Sequence, residues 1–541
     1  MKNCEYLKLL IICVANKRMF DTLIRHAEVY DGRHRPPQRL DVAISGDRIA
    51  AMEAHIPAQQ ARQVVDAEGL ALTPGLIDPH ASTGFGYFFP HAADHKLYQG
   101  ITTEIFGNCG TSPGPVGERL LPTMNRLAGE IGFPFHWRSL GQYFEAIAPR
   151  LAFNVGSLVG HSTLRAGFVA DWKQVQPQEL AQMKAALAQA MEEGALGLST
   201  GLIYAPGCFA PTEEVVELAR IARQKGGVYA SHIRDERDGV EQAVEEALRI
   251  GRQANIPVLI SHLKAAERKN WGKIPRLLEK IEQHNAQNEA QACIDVYPYT
   301  AVSTKLRAFI PKQLLQDGIE ALPAKLRRPE VRRQIAEWID QRGYDLSRML
   351  IISSEYAQYY GKTVQQIAAE NGLSEADAMA EILSTSTEMW IVYHCINEQD
   401  MDTAICWPRA MVCTDSWSYP INAPNSIGQP HPRSYGAFTQ YLQDYVFKKR
   451  LLSFEEAIHK ASYLPAQFFG LEKRGLIQPG YYADLVLFDL KHIRANATYL
   501  QPKRLSEGVE YLWVNGRAAI SRQQIQETNT GKILTKNAVN Y

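Results

Sequence analysis

Eight short apolar runs rich in β-forming residues, each closed by a polar side chain and a turn, set the frame of this chain. They end near His80 (GLIDPH), Cys109 (TTEIFGNCG), His161 (NVGSLVGH), Ser199 (ALGLST), His232 (GVYASH), His262 (PVLISH), Tyr297 (ACIDVYPY) and Asp415 (AMVCTD). Most are followed by segments such as LAQMKAALAQAMEEG and GVEQAVEEALRIGRQ, with apolar residues three and four apart, the period of a helix packed on one face. Strands alternating with helices imply a parallel sheet, and eight repeats imply closure into a TIM-type (β/α)8 barrel.

Five of the eight runs end on a possible metal ligand: His80, Cys109, His232, His262 and Asp415. In a barrel these positions share the C-terminal rim, where active sites are built. Three imidazoles, a thiolate and a carboxylate brought together there can hold a zinc ion and work a water molecule beside it. Any one of them alone would more often be a core residue; the repeated context of β-formers, polar residue and turn carries the signal. His161 and Ser199 also end strands, but nothing assigns them chemistry beyond packing or hydrogen bonds behind the site.

Two parts lie outside the plain barrel. Short alternating strands broken by Gly, Asp and Pro fill residues 19–74, and similar ones return near the C-terminus as YADLVLFDL and VEYLWVNGRAAI, so both ends are expected to build one small β-domain from 19–74 and 475–525. The barrel then spans 75–474. Between Tyr297 and Asp415 the chain is too long for an ordinary βα connection and is mostly helix-like, which suggests a helical insertion at about 305–390. Within it, MLIISS competes with ACIDVYPY for the seventh barrel strand.

These motifs resemble the N-acyl-D-amino-acid deacylases, the D-aminoacylase branch of the amidohydrolase superfamily, from about Met19 to about Arg517. The resemblance rests on TPGLIDPH, LYQGITTEIFGNCG, GALGLSTGLIYAPG, GGVYASHIRDE, PVLISHLKAA followed by NWGK, DVYPYTAVST, PHPRSYGAF and PGYYADLVLFD, in that order. It implies a tightly held zinc on Cys109, His232 and His262, with Asp415 as catalytic base. It further implies that Lys264, Tyr297, Ser303 and Arg433 hold the substrate's carboxylate. The residues agree in part: Lys264 follows His262 by two positions, so on a strand it points to the same side, and Arg433 offers a planar fork suited to a carboxylate. The loop SYPINAPNSIGQ before Arg433 looks longer than is usual in the family.

One departure stands out. Where the family has His-x-His and soon an Asp, this chain runs His80-Ala81-Ser82-Thr83-Gly84. Ser is a poor zinc ligand, so a second, weaker metal position is expected to be impaired, with His80 left to share Cys109. Three protein ligands suffice for a catalytic zinc with its fourth position open, and Asp415 could move the proton as water attacks an amide. His80 is read either as a hydrogen-bond donor to the developing oxyanion or as a leftover structural residue. The leading expectation is zinc-dependent hydrolysis of N-acyl-D-amino acids. Hydrolysis of a cyclic or other D-configured amide is its neighbour, and a metal-binding protein that has lost turnover is the alternative of another class.

Charge and composition fit a small-molecule enzyme: 58 basic residues balance 58 acidic ones, which gives no sign of a nucleic-acid partner. Eight cysteines without CxxC pairing suit a reducing compartment. The leader MKNCEYLKLLIICVANKR holds an apolar run too short to span a bilayer and lacks a convincing cleavage site. It reads as an upstream start or a weak signal, and a cytoplasmic protein without a membrane partner is expected. The oligomeric state is left open.

Overall fold

The computed structural model describes residues 19–82, 84–315, 319–418, 420–421, 430–526 and 529–536; the leader and most of SYPINAPNSIGQ fall outside them. Its centre is an eight-stranded parallel sheet in sequential order. The strands are β1 (Leu76–Asp78), β2 (Ile101–Phe106), β3 (Asn154–Gly160), β4 (Gly197–Gly201), β5 (Val228–His232), β6 (Val258–Ile260), β7 (Ala292–Val296) and β8 (Ala410–Val412). Every residue of the eight is buried, as expected of strands covered by helices outside and by one another inside. The ring closes just beyond the last strand: the Asp415 amide donates to the His80 carbonyl (3.0 Å), and the Ser82 amide to that of Ser416 (3.1 Å).

Ile77, Ile105, Leu158, Leu196, Val228, Ala230, Leu259, Cys293 and Met411 fill the barrel interior, and Phe469 packs with them. Outside, the helix Val240–Ala254 shows how the helical period is used. Its buried residues Val240, Ala243, Val244, Ala247, Leu248 and Gly251 form one stripe, and Asn255 ends it in a left-handed conformation, as C-terminal caps commonly do.

Strands from both chain ends share a nine-stranded mixed sheet, joined where Ala71–Pro74 runs antiparallel to Leu485–Phe488. The insertion after β7 contains helices and a three-stranded antiparallel sheet in which Val302–Lys305 and Met349–Ile351 flank Trp390–Tyr393. MLIISS therefore belongs to the insertion, and ACIDVYPY supplies the seventh barrel strand. Among the described residues no helix is long and apolar enough to cross a membrane.

Candidate metal centre

The sequence places ligand-type residues at strand ends, and the backbone turns them inward. Cys109, His262 and Asp415 each lie just past a strand with φ of 52°, 35° and 44°. Left-handed backbone is uncommon for side chains larger than Gly and costs on the order of 1–3 kcal/mol. At three strand ends spaced around the barrel it swings three side chains into the mouth.

There the Cys109 sulfur is the hub. His80 Nε2 lies 3.3 Å from it, His262 Nε2 3.5 Å and His232 Nδ1 3.6 Å. Asp415 Oδ1 lies 3.5 Å from His80 Nε2, and His80, Cys109, His262 and Asp415 present ligand atoms all within 4.8 Å of one another. A tetrahedral zinc ion with Zn–N of about 2.0–2.1 Å and Zn–S of about 2.3 Å holds its ligand atoms roughly 3.3–3.7 Å apart. The spacing around Cys109 matches that separation, and the mix of thiolate and imidazole suits zinc.

The electrostatics agree with a site built for a cation. Burial raises the Cys109 thiol, but His80 and His262 outweigh it and bring the group below its ordinary value. Burial pushes His232 down to about 4, so the ring is neutral and ready to ligate at ordinary pH. Against the cost of burial, Asp295 and Cys109 hold His80 well above the usual imidazole range. Desolvation raises the half-buried Asp415 too, yet Arg433, His262 and His80 keep it ionised far into acid.

Two carboxylates that the sequence did not single out stand behind the rings. Asp295 Oδ2 lies 3.2 Å from His80 Nδ1, and its other oxygen accepts from the His262 amide at 2.7 Å. Glu236 Oε1 lies 3.0 Å from His262 Nδ1. A usable signal existed for Asp295, an acidic residue inside the apolar run ACIDV. Glu236 offered less, being one charge among several in HIRDE.

The four residues expected to hold a carboxylate are not equally placed. Lys264 Nζ bonds Glu236 Oε1 (2.5 Å) and approaches His262 Nδ1 (3.0 Å). Arg433 donates to the Asp415 carbonyl (2.9 Å) and pairs with its carboxylate (3.1 Å). Both cations face the Tyr297 ring, Arg433 at 4.7 Å and Lys264 at 5.7 Å from its centre, so these three form one wall. Ser303 sits apart on the insertion's sheet, half-buried and opposite Val392. Tyr204, after β4, lies beside His232 with centroids 4.8 Å apart and the rings tilted by 60°, and is 52% exposed; it is a third residue that the sequence did not single out.

At the point of departure, Ser82 is half-buried and tied by its backbone to Ser416 and Gly107. Gly84 has φ of 79° and no side chain to ligate as an acid would, and a Cβ there would lie 2.7 Å from the Tyr143 hydroxyl oxygen and 3.1 Å from Phe106. Tyr143 in turn donates to the Gly84 carbonyl at 2.7 Å.

The comparisons with known proteins bear on this site. The amidohydrolase family model matches residues 63–295 and 423–520, which takes in four of the five rim residues. N-acyl-D-aspartate deacylase of Alcaligenes xylosoxydans xylosoxydans is 34% identical over 95% of each chain. The chain belongs to the D-aminoacylase branch of the amidohydrolase family. Among solved structures of this branch, N-acyl-D-glutamate deacylase of Bordetella bronchiseptica, in complex with zinc and a phosphonate mimic of the tetrahedral intermediate, is 31% identical. It superposes with a TM-score of 0.79 over 96% of this chain and all of its own. A D-aminoacylase described as having a binuclear centre with one-metal activation and second-metal attenuation is 33% identical, with a TM-score of 0.78 and the same coverage.

Proposed function

We propose that this amidohydrolase cleaves the amide bond of N-acyl-D-amino acids with the help of zinc, giving a carboxylate and a free D-amino acid. The observation that carries the reading is the approach of His232 and His262 to Cys109 at zinc-like distances, with Asp415 and a wall of Lys264, Tyr297 and Arg433 beside them. Relatives that act on N-acyl-D-aspartate and N-acyl-D-glutamate over nearly the whole chain support it.

Zinc held by Cys109, His232 and His262 would supply a Lewis acid that polarises the amide carbonyl and eases deprotonation of water. Asp415 accepts the proton from the attacking water and delivers it to the leaving nitrogen. His80 holds Asp415 from one side and Arg433 from the other. The substrate's carboxylate, placed against Tyr297, draws on Arg433 and Lys264 as charge-assisted donors; we include Ser303 in this subsite on the family resemblance alone. With Ser82 in place of an imidazole, one zinc per chain binds tightly. We assign catalysis to residues 75–474 and treat 19–74 with 475–525 as a separate small unit.

Metal analysis of the purified protein, joined to an activity screen over N-acetyl-D- and N-acetyl-L-amino acids, tests this. Close to one zinc per chain and turnover confined to D-substrates are expected. Two tight equivalents would refute the stoichiometry, and preference for L-substrates or for amides lacking a carboxylate would refute the substrate.

A further inference from the structure

Of the three imidazoles that face the Cys109 thiolate, His80 turns its other nitrogen to Asp295, while those of His262 and His232 lie on the side of a second carboxylate. His262 presents Nε2 to Cys109 (3.5 Å) and Nδ1 to Glu236 (3.0 Å). His232 presents Nδ1 to Cys109 (3.6 Å) and Nε2 to the same Glu236 oxygen (3.8 Å). Glu236 side-chain exposure is 14%, and a carboxylate can only accept hydrogen bonds. It therefore selects the tautomer with hydrogen on His262 Nδ1, whereas His232 Nε2, at 3.8 Å, lies beyond hydrogen-bond distance. That tautomer leaves the lone pair of His262 Nε2 pointing at the thiolate, where a metal would need it.

His232, Glu236 and His262 could themselves hold a cation, but one is already there. The Lys264 ammonium lies 2.5 Å from Glu236 Oε1 and 3.0 Å from His262 Nδ1, so lysine and imidazole converge as donors on one oxygen. Lys264 also faces Tyr297. The same carboxylate thus orients a ligand of the metal and anchors a cation of the substrate wall.

We propose that Glu236 is a positioning residue that sets the tautomer of His262 and holds Lys264 in place, so that metal affinity and the grip on substrate carboxylate depend on one side chain. The second half rests on the substrate reading given above; the first does not. Zinc affinity of the purified full chain, measured by competition with a chromophoric chelator in the absence of substrate, separates them. Glu236→Ala should weaken zinc binding about 10- to 100-fold, and Glu236→Asp, which keeps the charge but withdraws the oxygen, should do nearly the same. Glu236→Gln, whose amide oxygen still accepts, should recover most of the loss. Lys264→Met should keep zinc affinity near wild type and raise KM without a matching fall in kcat. The thiolate-to-cobalt absorption of cobalt-loaded protein should shift in Glu236→Ala and Glu236→Asp but not in Lys264→Met. Wild-type zinc affinity in Glu236→Asp would overturn the proposal, as would an equal loss in Lys264→Met. Correct zinc behaviour without turnover of any D-substrate would support Glu236 in its metal role while sinking the functional reading.

Discussion

A side chain's chemistry at this site depends on a few degrees of freedom at single residues. Asp415 reaches His80 and Arg433 from a left-handed backbone position, and its ionisation deep into acid leaves it a proton acceptor at any ordinary pH. Asp415→Asn should lower turnover by roughly a hundred-fold or more, while zinc content stays near wild type because Cys109, His232 and His262 remain. Full activity in that variant would remove Asp415 from the mechanism. Gly84 gives a second test at this scale. Rebuilding the family's pattern with Ser82→His should add a weakly held second metal, detectable by titration, without being required for activity. Adding Gly84→Asp should cost about 1–3 kcal/mol of stability, since the new Cβ meets Tyr143 at a positive φ; an unchanged unfolding midpoint would contradict this. The residue types of the rim were legible because a strand end followed by a turn is a one-dimensional pattern. Glu236 and Asp295 were not, because what they do depends on which ring nitrogen faces them, and that is fixed by backbone turns at residues far away in sequence.

Elements join through buried charge as well as through apolar packing. The helix His161–Phe168 is bound to the helix Thr212–Gln224 by Glu214, which accepts from His161 Nε2 (2.8 Å) and from Arg165 (2.6 and 2.7 Å). All three are buried, and removing one partner leaves an uncompensated charge. Glu214→Ala should therefore destabilise by about 3–5 kcal/mol at neutral pH. Burial raises the Glu214 carboxyl, but His161 and Arg165 prevail and bring it below its ordinary value. A depressed carboxylate stabilises the fold above its unfolded pKa of about 4.3 and loses that contribution as pH falls through the folded value. The gap between wild type and Glu214→Gln in denaturant melts should accordingly shrink below about pH 4; a constant gap would deny the network its role. At this scale the sequence showed the barrel strands and helices well, since each repeats a short period. It did not show the insertion's sheet. Val302–Lys305 is half-buried along its length, and its partner at Trp390–Tyr393 lies far along the chain, so no local period marks the pairing.

On the scale of the whole molecule, the chain's last described segment returns to the barrel instead of ending with the small sheet. Residues 529–536 run along the start of β3: the Val155 amide donates to the Lys532 carbonyl (2.9 Å), and the Leu534 amide to that of Val155 (2.7 Å). Asn154, the first residue of β3, ties three parts together. Its side-chain Nδ2 donates to Asp484, and its Oδ1 accepts from Asn515 Nδ2 and from the Lys532 backbone amide. Leu534 then packs with Ile105, Leu158, Leu196 and Val228 in the barrel interior, at the end opposite the metal centre. Nothing in the sequence beyond Arg517 marked this return, because a single buried leucine in a short polar stretch has no period to read. Burying that leucine contributes about 1.5–3 kcal/mol and the two backbone bonds about 1 kcal/mol each, against the cost of ordering the segment. Leu534→Ala should lower stability by about 2–4 kcal/mol, and ending the chain after Gln526 should lower the thermal midpoint further. Zinc content and kcat/KM of the folded fraction should be untouched in both, because the tail touches the starts of the strands and the site is built at their ends. Loss of zinc or of turnover in a Leu534→Ala protein that is still folded would mean the barrel transmits changes between its two ends.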